Sequence, residues 1–189
     1  ACQRQKNNES QELLDHVISV ANSHLYNLQN LQISFSGKDV ADVDFSSLYQ
    51  VEELNLANCY NLTPQQFNSI PNKGNITKLD LSHIDVTNFD FSQFHNLDEL
   101  ILTNAKNLTA EQFNSIPEKE DITQLDISYC DVENFNFSTL SNLKKLLLIH
   151  VENLTKRQFK TIPNKASIKK ISPDHFNSTL VNPSLKKQF

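Results

Sequence analysis

Apolar residues along this chain fall into a six-position pattern, apolar-x-x-apolar-x-apolar. It starts in degenerate form at Asn30 and returns at Val51, Ile76, Leu97, Ile122, Leu143 and Ile168. Its fourth and sixth positions are Ile33/Phe35, Leu54/Leu56, Leu79/Leu81, Leu100/Leu102, Leu125/Ile127 and Leu146/Leu148. A spacing of two places both on one face of a strand, so each motif predicts a short strand with its apolar side turned inward. The starts step alternately by 21 and 25 residues, and two steps make a 46-residue repeat without insertion or deletion: Val51-Glu-Glu-Leu-Asn-Leu, Leu97-Asp-Glu-Leu-Ile-Leu and Leu143-Lys-Lys-Leu-Leu-Leu. Such units cannot bury their own apolar face and must pile on neighbours. A stacked α/β solenoid follows, and with it a binding scaffold rather than a pocket enzyme.

The longer half of each unit predicts a helix after its strand. Thr63-Pro-Gln-Gln66, Thr109-Ala-Glu-Gln112 and Thr155-Lys-Arg-Gln158 place a capping threonine three residues before a glutamine that completes the box, and Pro64 occupies the first helical position. Pro71, Pro117 and Pro163 end these helices about two turns later. The shorter half has no cap. Val40–Phe45, Val86–Phe91 and Val132–Phe137 alternate apolar and polar residues, which fits an extended or single-turn segment. Phe45, Phe91 and Phe137 form one column and Phe67, Phe113 and Phe159 another, expected to stack as two aromatic spines through the core.

Leu-x-x-Leu-x-Leu in units of this length resembles the leucine-rich repeat family, over roughly residues 30 to 175. The resemblance implies an arc with a parallel sheet of about seven strands on its concave face, and short helices and extended segments on its convex face. It also implies a non-catalytic protein–protein interaction module that binds through the concave face, on a surface-exposed or host-interaction protein. The alternative is an intracellular adaptor or substrate-recognition subunit of an enzyme complex such as a ubiquitin ligase. Position nine of the motif, where the family often has asparagine, reads Lys38, Cys59, Ile84, Ala105, Cys130 and Val151. The asparagine ladder is therefore absent, and cysteine there is similar to the cysteine-containing and ribonuclease-inhibitor-like subclasses.

Four segments divide the chain: a flexible start over 1–9, a helical N-terminal cap over 10–28, the repeats over 29–175 and a C-terminal cap and tail over 176–189. Leu13, Leu14, Val17, Ile18, Ala21 and Leu25 fall at helical spacing in the cap. Pro173 replaces the sixth-position Leu and breaks the last motif. Ala1-Cys2 with the polar run behind it resembles the start of a bacterial lipoprotein, which would bring a membrane in through a lipid on Cys2. Removal of an initiator Met before Ala1, with Cys2 incidental, is the other reading. Localisation stays divided between export or cell surface and cytoplasm.

Composition narrows the classes further. A net charge of −5 argues against nonspecific nucleic-acid binding, the local exception being Lys144, Lys145, Lys169 and Lys170. No apolar run approaches the roughly 18 residues that span a bilayer. Cys59 and Cys130 lie three strand steps apart, about 14 Å, beyond the roughly 7 Å limit for a disulfide, and so are expected as free buried thiols. Seven Asn-x-Ser/Thr sequons occur, at Asn8, Asn61, Asn75, Asn107, Asn136, Asn153 and Asn177. The repeat itself accounts for Asn61, Asn107 and Asn153, because Leu packs inward and Thr caps a helix. His83, His150 and His175 share position eight without a nucleophile beside them, and Asp80 and Asp126 recur through the repeat. No catalytic constellation, metal site or cofactor is expected.

Residues between the core positions point out of the sheet and define the binding face. Column three reads Gln32, Glu53, Lys78, Glu99, Gln124, Lys145 and Lys170, running from acidic to basic. Column five reads Ser34, Asn55, Asp80, Ile101, Asp126, Leu147 and Ser172, and column seven Ser36, Ala57, Ser82, Thr103, Ser128 and Ile149. Apolar Ile101, Leu147 and Ile149 stand where solvent favours polar residues, with Tyr129 and His150 beside them. With Lys145 and Lys170 as a positive flank favouring an acidic partner, these seven residues form the candidate partner site. A C-terminal tail folded over Leu147 and Ile149 is the competing expectation.

Overall fold

The computed structural model describes residues 31–165 and, outside that span, Glu12. Apart from Glu12, the helix expected over 10–28 lies outside the described residues, as do the strand expected from Ile168 and the tail from 176. Six strands, β1 (Leu31–Ser34), β2 (Val51–Asn55), β3 (Lys78–Asp80), β4 (Glu99–Ile101), β5 (Gln124–Asp126) and β6 (Lys145–Leu147), form one all-parallel sheet in chain order. The register aligns equivalent motif positions: Leu54 pairs with Leu79, Leu79 with Leu100, Leu100 with Leu125 and Leu125 with Leu146. These leucines, and Leu56, Leu81, Leu102, Ile127 and Leu148 two residues on, are buried in one continuous core.

Three six-residue helices follow alternate strands: α1 (Pro64–Ser69), α2 (Ala110–Ser115) and α3 (Lys156–Thr161). Each begins with a complete capping box on Thr63, Thr109 or Thr155. The box glutamine has a second task. While Gln112 Oε1 accepts from Thr109 N–H at 3.0 Å, its Nε2 donates to Val86 O and Phe89 O at 2.7 and 3.0 Å. Gln66 reaches Val40 O and Val43 O in the same way, and Gln158 reaches Val132 O and Phe135 O. One carboxamide thus caps its own helix and ties it to the segment some 25 residues earlier. At the other helix end the residue before each proline, Ile70, Ile116 or Ile162, leaves the helix with ψ near 120°.

A lysine then closes each helix C-terminus. Lys73 Nζ donates to Asn68 O and Ile70 O at 2.7 and 3.1 Å, and Lys119 Nζ to Asn114 O and Ile116 O at 2.8 and 2.7 Å. Both side chains are buried, and burial lowers both pKa values from the ordinary lysine range. They satisfy carbonyls that the short helices leave without partners. The residue before each lysine is left-handed: Asn72 at φ 50°, Glu118 at 49° and Asn164 at 50°.

The other half of the repeat is built from turns rather than extended chain. Val43, Phe89 and Phe135 donate their N–H groups to Val40, Val86 and Val132 O, and Phe45–Ser47 forms a single 3-10 turn capped by Asp44. The two aromatic spines do not form. Members of one column recur only at every second strand, about 10 Å apart, too far for ring contact. Rings from the alternate half fill the gap: Phe67 stacks on Phe89 at 4.1 Å and lies 5.8 Å from Phe91 and from Phe94, while Phe113 stacks on Phe135 at 4.5 Å and lies 5.8 Å from Phe137. The outcome is separate aromatic clusters that join α1 and α2 each to the turn segment after it. Phe159 of the expected second column is only half-buried.

Two substitutions test these joints. Gln112→Glu preserves the capping acceptor but sets a carboxylate against two carbonyls; urea unfolding should show a loss of about 1–3 kcal/mol, and an unchanged midpoint would mean the Nε2 bonds contribute nothing. Glu118→Asn puts at a left-handed position the residue found at both equivalent sites. There Asn72 and Asn164 also donate to Tyr49 O and Ser141 O. Thermal unfolding should show a gain of about 0.5–1 kcal/mol.

Candidate functional site

The outward face of the sheet is formed by columns three and five and bordered by the turn at position eight; column seven, expected on the same face, is buried at Ala57, Ser82 and Ser128. Gly37, Asn58, His83, Asn104, Tyr129 and His150 all occupy that position with φ between 50° and 67°. Asn58, His83, Asn104 and Tyr129 donate their N–H groups to Ser82, Thr103, Ser128 and Ile149 O on the next strand, at 2.7–2.9 Å. Cys59, Ala105 and Cys130 at position nine each donate N–H back to the position-six carbonyl. Backbone bonds and left-handed residues therefore close the turns without asparagine at position nine. Cys130 Sγ adds a contact to Leu102 O at 3.0 Å. The left-handed region is ordinary for Gly and Asn and unfavourable for a residue as bulky as Tyr129.

Column five serves the same turns. Asn55 Oδ1 accepts from Ala57 N–H, Asp80 Oδ1 from Ser82 N–H and Asp126 Oδ1 from Ser128 N–H, each at 2.9 Å. The two aspartates are backbone acceptors, and Ile101 stands between them in the register. In column three the register sets Lys78 between Glu53 and Glu99. Gln32 Nε2 donates to Glu53 Oε1 at 2.8 Å, and Lys78 Nζ meets Glu99 Oε2 at 3.0 Å. The bond from Glu99 raises the Lys78 pKa.

The candidate residues are brought together only in part. Leu147 and Ile149 lie two residues apart at the end of β6 and are half-buried. The Tyr129 and His150 rings meet at 5.0 Å with a tilt of 34°, and Tyr129 is 52% exposed, so this pair presents an accessible aromatic surface. Ile101 is separated from Leu147 by Asp126, since Ile101 pairs with Asp126 and Asp126 with Leu147. Lys145 is exposed at the start of β6, and Lys170 lies outside the described residues. Sequence reasoning took Asp126 only as a repeat of Asp80. The signal was in column five itself, which places a carboxylate between two aliphatic residues.

Among the described residues no three His, Cys, Asp or Glu side chains are grouped to hold a metal ion. Nor is any described helix long and apolar enough to cross a membrane. Asn61, Asn107 and Asn153 of the sequons are exposed and left-handed, and the amides of Asn61 and Asn107 donate to Asp39 and Asp85.

Cys59 and Cys130 are free and buried. Burial pushes the Cys59 thiol up to about 12 and the Cys130 thiol to about 11. Neither is a competent nucleophile at neutral pH. A thiol reagent at pH 7.5 should leave both unmodified in native protein and label both after denaturation, as read by mass spectrometry; rapid labelling of native Cys130 would place it outside the core. Compared with protein-family models, with curated proteins and with solved structures, the chain matches none.

Proposed function

We propose that the chain is a leucine-rich-repeat solenoid that serves as a non-enzymatic protein-binding module, its partner lying on the outward face of the sheet near β5 and β6. The fold reading is supported by strands that follow one another in chain order and by capped helices that recur every 46 residues. The site reading rests on one observation: half-buried Leu147 and Ile149 adjoin the exposed Tyr129–His150 ring pair on that face. An aliphatic floor beside an aromatic anchor, within polar columns, is the composition that concentrates binding energy. Ile101 and Lys145 form its margin.

Peptides selected from a random phage-displayed library test this reading. A carboxylate at Leu147 would be desolvated without a counter-ion at the centre of the contact, so Leu147→Asp should weaken the selected peptides at least about tenfold, or about 1.4 kcal/mol. Its circular dichroism and melting temperature should stay near those of the parent. A mutant that unfolds instead would show that another part of the chain covers Leu147, and full retention of binding would move the site to the half around Glu53, Asp80 and Glu99.

A further inference from the structure

We infer that the partner presents an arginine side chain to Asp126. This deepens the proposed function and rests on it. Asp126 stands at position five of β5 with Ile101 beside it on β4 and Leu147 beside it on β6. Its neighbours in position four and position six, Leu125 and Ile127, are buried, so the carboxylate faces outward between two aliphatic side chains. Its Oδ1 accepts from Ser128 N–H at 2.9 Å, and among the described residues its Oδ2 has no partner. Asp80, the equivalent residue 46 positions earlier, is engaged differently. Asp80 Oδ1 takes both the N–H and the hydroxyl of Ser82, at 2.9 and 2.6 Å, and Lys78 lies close enough for its charge to feel Asp80. At Asp126 the hydroxyl is turned away, because Ser128 Oγ accepts from Ile149 N–H at 3.1 Å. Lys145 makes no ion pair with Asp126.

Charge and shape point to the same occupant. Columns three and five of the described face hold Glu53, Asp80, Glu99 and Asp126 against Lys78 and Lys145, and Lys78 is already paired with Glu99. The face is thus acidic on balance, whereas the positive flank expected from sequence depended partly on Lys170. A carboxylate with one open oxygen between aliphatic walls suits a cation that carries its own apolar stem. Arginine fits better than lysine, because its guanidinium is planar and weakly hydrated and its stem can lie along Leu147. Such a charge-assisted bond is about twice as strong as a neutral one.

Asp126→Asn separates the charge from the turn, since Asn55 accepts the equivalent N–H on β2 at the same 2.9 Å. The probes are N-acetyl-Leu-Xaa-Leu-amide peptides with arginine, its neutral isostere citrulline, or glutamate at the centre, titrated against the full chain and followed by amide chemical shifts. The arginine peptide should move the Asp126, Ser128 and Leu147 amides and bind about tenfold tighter than the citrulline peptide. In Asp126→Asn the two should become equal. Equal binding to the parent, retention of the arginine preference in Asp126→Asn, preference for the glutamate peptide, or no shift on this face at millimolar peptide would each overturn the inference. If arginine and citrulline peptides bind equally and Leu147→Ser weakens both, the face still binds partners and only the arginine assignment fails.

Discussion

The side-chain amide of one glutamine per repeat holds the architecture together. A six-residue helix is too short to persist on backbone propensity, and a three-residue strand buries little by itself. Gln66, Gln112 and Gln158 join these weak elements at two levels, since Oε1 completes a helix start and Nε2 fastens that start to two carbonyls of the turn segment before it. Glutamate would serve the first role equally well. Only glutamine serves both, which is why Gln stands in all three boxes.

The reverse side of each helix is joined forward. Asn68 donates its amide to Asn88 O and accepts from Asp90 N–H, and Asn114 does the same with Asn134 and Asn136. The stacked rings of Phe67 with Phe89 and of Phe113 with Phe135 lie on that same forward side. The helices Pro64–Ser69 and Ala110–Ser115 therefore reach the turn segments on both sides, and the core runs across unit boundaries without a seam.

Strand positions, helix starts and helix ends were legible in the sequence because each depends on local chemistry: alternation for a strand, Thr and Gln for a start, Pro for an end. What escaped was longer in range. The Nε2 bonds of Gln112 span 26 and 23 residues and leave no local trace. Lys73 and Lys119 carry no signal in sequence, because the helix carbonyls they close belong to residues three and five positions earlier. The Phe spines failed because a column in sequence was taken for a contact in space. At the site, column five already set Asp126 between Ile101 and Leu147 in sequence, and the register bears that order out; what the sequence did not show is that the Ser128 hydroxyl leaves the Asp126 carboxylate.

The alternation of 21- and 25-residue steps has a consequence for how such a chain can change length. A helix-bearing segment has joints for a helix-free segment on either side, and a helix-free segment offers the matching carbonyls and rings. Loss of one segment alone would set two of a kind against each other, glutamine facing glutamine with no carbonyl pair to receive it. Loss of a whole pair, Leu97 to Asn142, would instead bring Gln158 to the carbonyls that Gln112 now holds and leave every class of contact intact. The duplicating unit is the pair, and growth or shrinkage of the array is quantised in two strands at a time.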